Sequence, residues 1–401
     1  MKYAAVFVIA LSTLWYSCSS EEDPSGPGTT NDIIPALSVR AASTIELESD
    51  ANISFEVTAS PSNFTQEVSF QYTTEGLTAE PGVDFMMTSG TVTIPVGTRS
   101  VSVPITVFQD DEKELPERLR LTITNATNAT IDQGFNIGVI NDRDEGTRLD
   151  EDGYFTEASH YGYDLSWSDE FDGSVINEAF YSFDLGDGCP DLCGWGNEEL
   201  QIYSNEAKNV FVGDGKLNIV ATQEGDIEFH SARLTTKDKV EFQHGRIDIR
   251  ARVPKGQGIW PAFWMLGANI DEVGWPACGE IDIMEAVGHE PLEVHGTAHW
   301  GPEGGPNQFK GGTFFNDEEF IEAFHVFTLL WEQNKITWYV DEEEYFTLSG
   351  ADVGNSPYRF DNDFYFLFNV AVGGRWPGNP DETTVFPQTM EIDYIRVFQI
   401  N

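Results

Sequence analysis

Cations are scarce in this chain. Lysine and arginine number 22 in 401 residues against 67 aspartates and glutamates, for a formal net charge of −45. Such acidity repels nucleic acid and anionic membranes and argues against a polyanionic substrate, while permitting a neutral one. Cysteine is also scarce, at four residues, with neither the count nor the spacing of a thiolate zinc site. The apolar run at residues 3–15 is too short for a good spanning helix. Long amphipathic helices are missing from residues 163–401, where the pattern allows at most a short helical turn at 316–324. What is plentiful is aromatic and turn-forming: 13% Phe, Trp and Tyr, with 37 Gly and 19 Pro. That balance suits an all-β protein of short strands and many turns.

The length predicts more than one domain. Residues 1–18 (MKYAAVFVIALSTLWYSC) resemble a lipoprotein signal in which Cys18 is lipidated, although Trp15 and Tyr16 are bulkier than usual there. The acidic SSEED that follows resembles a surface-export signal of Bacteroidetes lipoproteins. This implies an exported, outer-membrane or cell-surface protein that meets the membrane only through its anchor. Residues 19–33, rich in Ser, Pro, Gly and acid, are expected to be a flexible tether. Strands are predicted at 45–48, 53–57, 68–72, 90–94, 100–107, 118–123 and 135–140, enough for an Ig-like β-sandwich over 34–145. A polar connector is expected at 146–162 and one large sandwich at 163–401. In an exported chain Cys189 and Cys193, in CPDLC, are candidates for a short-loop disulfide, which would leave Cys278 odd and buried.

The segment with most chemistry is residues 279–285, GEIDIME. Glycosidic hydrolysis takes two carboxyl groups flanking one bond, one ionised and one protonated. In a strand, Glu280 and Asp282 share a face, whereas Glu285, five residues from Glu280, would face away. One extra residue, a β-bulge near Met284, restores it to the shared face and leaves Ile281 and Ile283 for the core. Acids on alternate strand positions often form only a solvated face. Here the flanks favour a cleft: GIWPAFWMLG at 258–267 and Trp275-Pro276 supply indole faces of the kind on which sugar rings stack.

Two family resemblances follow. The first domain resembles a Calx-β domain in PGVDF (81–85), GTVTI (90–94), the acids Asp110, Asp111, Glu114 and Glu117, and INDRD (140–144). That resemblance makes Asp84, Asp110, Asp111 and Asp142 calcium candidates, against a plain spacer role. The second domain is similar to glycoside hydrolase family 16, of the laminarinase type, in WSDEF (167–171), GWGNEELQIY (194–203), ARLTTK (232–237), FQHGRIDIR (242–250), GIWPAFWMLG, GEIDIME, VAVGGRWP (370–377) and IDYIRVF (392–398), in order along the domain. The family implies a β-jelly-roll and a retaining endo-1,3-β-glucanase that needs no catalytic cofactor. It places Glu280 as nucleophile, Glu285 as acid/base and Asp282 as their assistant. It sets Trp260 and Trp264 under the sugar at the cut. Arg233 and Asn197 would bind hydroxyls, and Trp195, His299 and Trp376 would shape neighbouring subsites, with a weaker case for Asn205. A structural calcium on Glu170, the Gly215 carbonyl and Asp393 is a further expectation. The implied partner is a β-glucan polysaccharide and the implied state a monomer. Mixed-linkage glucan, agar-type galactan, transglycosylation and a silent glucan-binding role are the alternatives.

Overall fold

A computed structural model of the protein describes residues 33–45, 51–109, 114–141, 149–225 and 227–400. The signal peptide with Cys18, the tether up to residue 32, residues 46–48 of the first predicted strand, and Asp110, Asp111 and Asp142 lie outside these residues. Among the described residues no helix is long and apolar enough to cross a membrane.

Period-2 patterning decides the first domain. In Ala51–Ser60 the side chains of Ile53, Phe55, Val57 and Ala59 alternate inward, and polar neighbours face out. Two sheets close on that core, one of four strands and one of five. Two strands beyond those predicted, Ala36–Val39 and Thr130–Gln133, form the flank of the smaller sheet. Asp84 is buried, its carboxylate accepts the backbone N–H of Glu80, and it lies with those of Glu114 and Glu117.

The second domain is a jelly roll of a ten-stranded and a seven-stranded sheet around one aromatic-rich core. The seven-stranded sheet carries the site. In chain order its strands are β1 (Ser182–Asp184), β2 (Arg233–Thr235), β3 (Ile259–Gly267), β4 (Glu280–Glu285), β5 (Glu293–Trp300), β6 (Gln308–Phe315) and β7 (Phe364–Val372). Across the sheet they run β1-β2-β7-β3-β4-β5-β6, so β4 has neighbours on both flanks.

Three expectations are corrected. Residues 316–324 form bends and turns, not a helical turn, while a single turn of α-helix falls at Ile270–Val273. The connector is more than polar chain. Tyr154 and Thr156 are buried on the ten-stranded sheet, where Tyr154 donates to Glu342 and Thr156 meets Asp248 and Tyr394. Arg118 of the first sandwich also pairs with Glu332 of the second. The calcium set does not fit a shared cation. Arg396 grips both oxygens of Glu170 at 3.0 and 2.8 Å, and Arg250 holds Asp393 at 2.6 Å. Each carboxylate already has its own guanidinium, the strongest form of neutralisation available to it. The Cys189–Cys193 disulfide is present, and Cys278 is a buried free thiol.

Candidate active site

The bulge forms within GEIDIME. Against β3, Phe263 pairs with Met284 but Trp264 pairs with Asp282, so Ile283 is the additional residue. Against β5, Asp282 faces Thr297 and Glu285 faces His295, which leaves Ile283 and Met284 together opposite Gly296. Ile281, Ile283 and Met284 all enter the core, and Glu285 returns to the face of Glu280 and Asp282. A bulge frees a backbone carbonyl from the ladder. Trp338, reaching across the core from the other sheet, donates its indole N–H to the Asp282 carbonyl at 2.9 Å. Gly296 makes room for that indole, since a Cβ there would stand 2.5 Å from Trp338 Cδ1.

Indoles hold the two glutamates. Trp275 Nε1 donates to Glu280 Oε2 at 3.0 Å, and Trp260 Nε1 donates to Glu285 Oε1 at 3.2 Å. His299 Nε2 lies 3.3 Å from Asp282 Oδ2 and 3.7 Å from Glu280 Oε1. Its Nδ1 is met by Asn307 at 2.9 Å. Asp282 is 3% exposed. Burial pushes Glu280 up to about 8, with the Asp282 charge adding to the effect. Glu285 is pushed up to about 8 for the same two reasons, and Asp282 to about 8 by burial. Three such acids in one dry wall do not all ionise near neutral pH. Near neutral pH this face therefore retains protons on its carboxyls, which is what general acid catalysis requires of its donor.

The β3 flank is a rigid assembly. Arg233 lies with its guanidinium 4.7 Å from the Trp195 ring and 4.9 Å from the Trp264 ring, and its Nε pairs with Asp184 at 2.9 Å. These are cation–π contacts in a shielded place. Trp264 Nε1 donates to buried Asn369 at 2.8 Å. Glu199 accepts from Asn197 at 3.2 Å and Gln201 at 2.7 Å, and burial raises its pKa above the usual value. Trp376 meets Trp260 edge-to-face at 5.5 Å and His295 at 5.1 Å. Asn205 is exposed in the loop after Gln201–Tyr203.

Glu280, Asp282, Glu285, Trp260, Trp264 and His299 are thus drawn together, with Arg233, Trp195 and Trp376 around them. Arg233 differs from the expectation, being stacked between indoles and ion-paired. Sequence reasoning missed Asp184, Glu199, Asn369 and the role of Trp275. Trp275 alone had a local signal, an exposed-type aromatic just before the acidic strand. Asp184 and Asn369 act through partners far away in sequence, Arg233 and Trp264, whereas the partners of Glu199 are its near neighbours Asn197 and Gln201.

A jelly roll with high-pKa carboxyls on one strand face, held by indoles and a histidine rather than by guanidinium groups, defines a carbohydrate-cleaving site. Residues 197–396 match the family description "Glycosyl hydrolases family 16", and 59–281 match "Beta-glucan synthesis-associated protein SKN1/KRE6/Sbg1". The chain is 37% identical over 268 residues to glucan endo-1,3-beta-glucosidase A1 of Niallia circulans, with 61% of this chain and only 39% of that protein covered. It is 37% identical over 272 residues to glucan endo-1,3-beta-glucosidase of Cryptopygus antarcticus, covering 62% of this chain and 96% of that one. The laminarinase catalytic domain from Thermotoga maritima matches in structure at 47% identity and TM-score 0.55, over 59% of this chain and 98% of that one. The chain belongs to glycoside hydrolase family 16.

Proposed function

We propose that this protein is an endo-1,3-β-glucanase that cuts laminarin-like glucans with retention of configuration. The observation carrying this reading is the bulged β4, which aims Glu280, Asp282 and Glu285 at one cleft with no lysine or arginine among the described residues paired to them. The names of the relatives above support the substrate class.

Glu280 attacks the anomeric carbon while Glu285 gives its proton to the departing glycosidic oxygen, and the reducing-end portion of the chain leaves. Glu285, now ionised, takes a proton from water. The resulting nucleophile opens the Glu280 glycosyl ester, which frees the sugar and restores both carboxyls. Asp282, between them, raises Glu285 while it is ionised and shares His299 with Glu280. Trp275 steadies the Glu280 carboxylate, and Trp260 orients Glu285.

Sulfated galactans would need cations in the cleft, and Arg233 is already committed to Asp184. The rest of the reading is an exported monomer, anchored through Cys18, whose first domain is a Calx-β-like spacer. Reducing-sugar release from laminarin, lichenan and agarose tests the substrate. Laminarin is expected to be cut fastest, with no release by Glu280→Gln. Agarose as the preferred substrate, or full activity in that variant, contradicts the reading.

A further inference from the structure

Beyond Glu280 the cleft wall continues onto the two outer strands. Register places Glu280 beside His299 and His299 beside Phe309. Asp282 stands beside Thr297, then Gly311, and Glu285 beside His295, then Thr313. The alternate residues of β5, namely Val294, Gly296, Ala298 and Trp300, are buried. The row His295, Thr297 and His299 therefore faces the cleft with the acids, and Phe309 shares that face.

Phe309 is 68% exposed on the last strand of the sheet. A bare phenyl ring on a sheet edge is a liability unless something covers it in use. The ring does not hang free. It stacks on His299 with centroids 5.5 Å apart and planes 29° from parallel, and His299 is itself fixed by Asn307 and faces Asp282. Phe309 is thus a flat apolar surface two strands, or about 10 Å, from the strand of the cutting acids. It lies on the flank opposite Trp195, Arg233 and Trp264.

The two flanks differ in build. Ion pairs and buried hydrogen bonds lock the β3 flank, which suits the half of the chain that stays bound as the glycosyl ester. The β6 flank offers two exposed rings, Phe309 and Phe315, of which Phe309 stacks on His299 beside the acids, and an exposed ring there suits the half that must depart before water enters. We propose, resting on the glucanase reading, that Phe309 is the stacking platform for the leaving-group half of the glucan and sets the enzyme's preference for extended chains.

The test compares laminarihexaose with 4-nitrophenyl laminaribioside, whose leaving group is a single aryl ring. Phe309→Ala is expected to lower the ratio of kcat/KM on the two substrates by about five- to tenfold. Phe309→Tyr is expected to restore the ratio, and the melting temperature to stay at the wild-type value because the ring is exposed. An unchanged ratio, or equal loss on both substrates, overturns the platform while leaving the glucanase reading intact. Failure of the wild-type protein to cut laminarihexaose overturns both.

Discussion

Two groups of buried acids occupy the two sheets of the catalytic domain, and they behave in opposite ways. On the ten-stranded sheet Asp248 accepts from Arg246 at 2.9 Å, Thr328 at 2.8 Å and Thr156 at 3.1 Å. Burial alone would raise its pKa, but the Arg246 guanidinium and the His160 contact overcome that and hold it well below the usual carboxylate range. Arg246 also bonds Glu342 at 2.8 Å. On the seven-stranded sheet Asp282 is buried and Glu280 and Glu285 are half-buried; among the described residues these acids have indole N–H groups and His299 but no guanidinium as partners, and all three are pushed up to about 8. Burial is common to both groups, so pairing decides the outcome. A paired acid is locked as an anion and serves the architecture. One without a guanidinium beside it keeps a proton that it can give away.

The comparison breaks most severely at the catalytic pair. Glu285→Gln removes the proton donor and is expected to cost about 10²- to 10⁴-fold in kcat/KM, which reports the first displacement, on laminarin. The loss should be far smaller on 4-nitrophenyl laminaribioside, whose leaving group needs little protonation. Equal losses on both substrates would deny Glu285 the acid role. Next comes the architectural group. Arg246→Met strands Asp248 and Glu342 without their cation, and is expected to destabilise the fold by about 3–5 kcal/mol in denaturant unfolding. A change below about 1 kcal/mol would mean that the pairing contributes little.

A smaller effect, of opposite sign, is expected at Asp282. In the fold it keeps its proton up to about 8, against an ordinary value of 3.8. The unfolded chain therefore ionises first as pH rises, and the folded state loses stability across that window. Asp282→Asn, which cannot ionise, should melt at or below the wild-type temperature at pH 4 and above it at pH 8, while activity falls. A melting difference that does not vary with pH would contradict the raised pKa. The smallest change is expected at Arg118→Ala. Its pair with Glu332 is part-exposed, so the melting temperature should hardly move and laminarin turnover should match the wild type. A marked loss of turnover would show that the first sandwich takes part in catalysis.

Much of the site was legible because its logic is local. The spacing of Glu280, Asp282 and Glu285 demands an extra residue if all three are to share a face, and the bulge appears at Ile283–Met284. Alternation likewise announced the two sandwiches. What could not be read depends on contacts between residues far apart in the chain. Trp338 supports the bulge from 56 residues away, and Asn369 orients Trp264 from 105. Phe309 alternates with the core-facing row of its strand, to which Phe314 belongs, and only the register across β5 shows that its own row faces the cleft. The expected calcium set failed because sequence gives the acids but not the arginines, Arg396 and Arg250, that reach them first.

The central claim is that Glu280 forms a covalent bond to the sugar. Incubation with a 2-deoxy-2-fluoro laminaribioside carrying an activated leaving group, followed by peptide mass spectrometry, tests it directly. The account predicts a glycosyl adduct on Glu280. An adduct on Glu285 or Asp282, or inversion of the anomeric centre with no adduct, would contradict it.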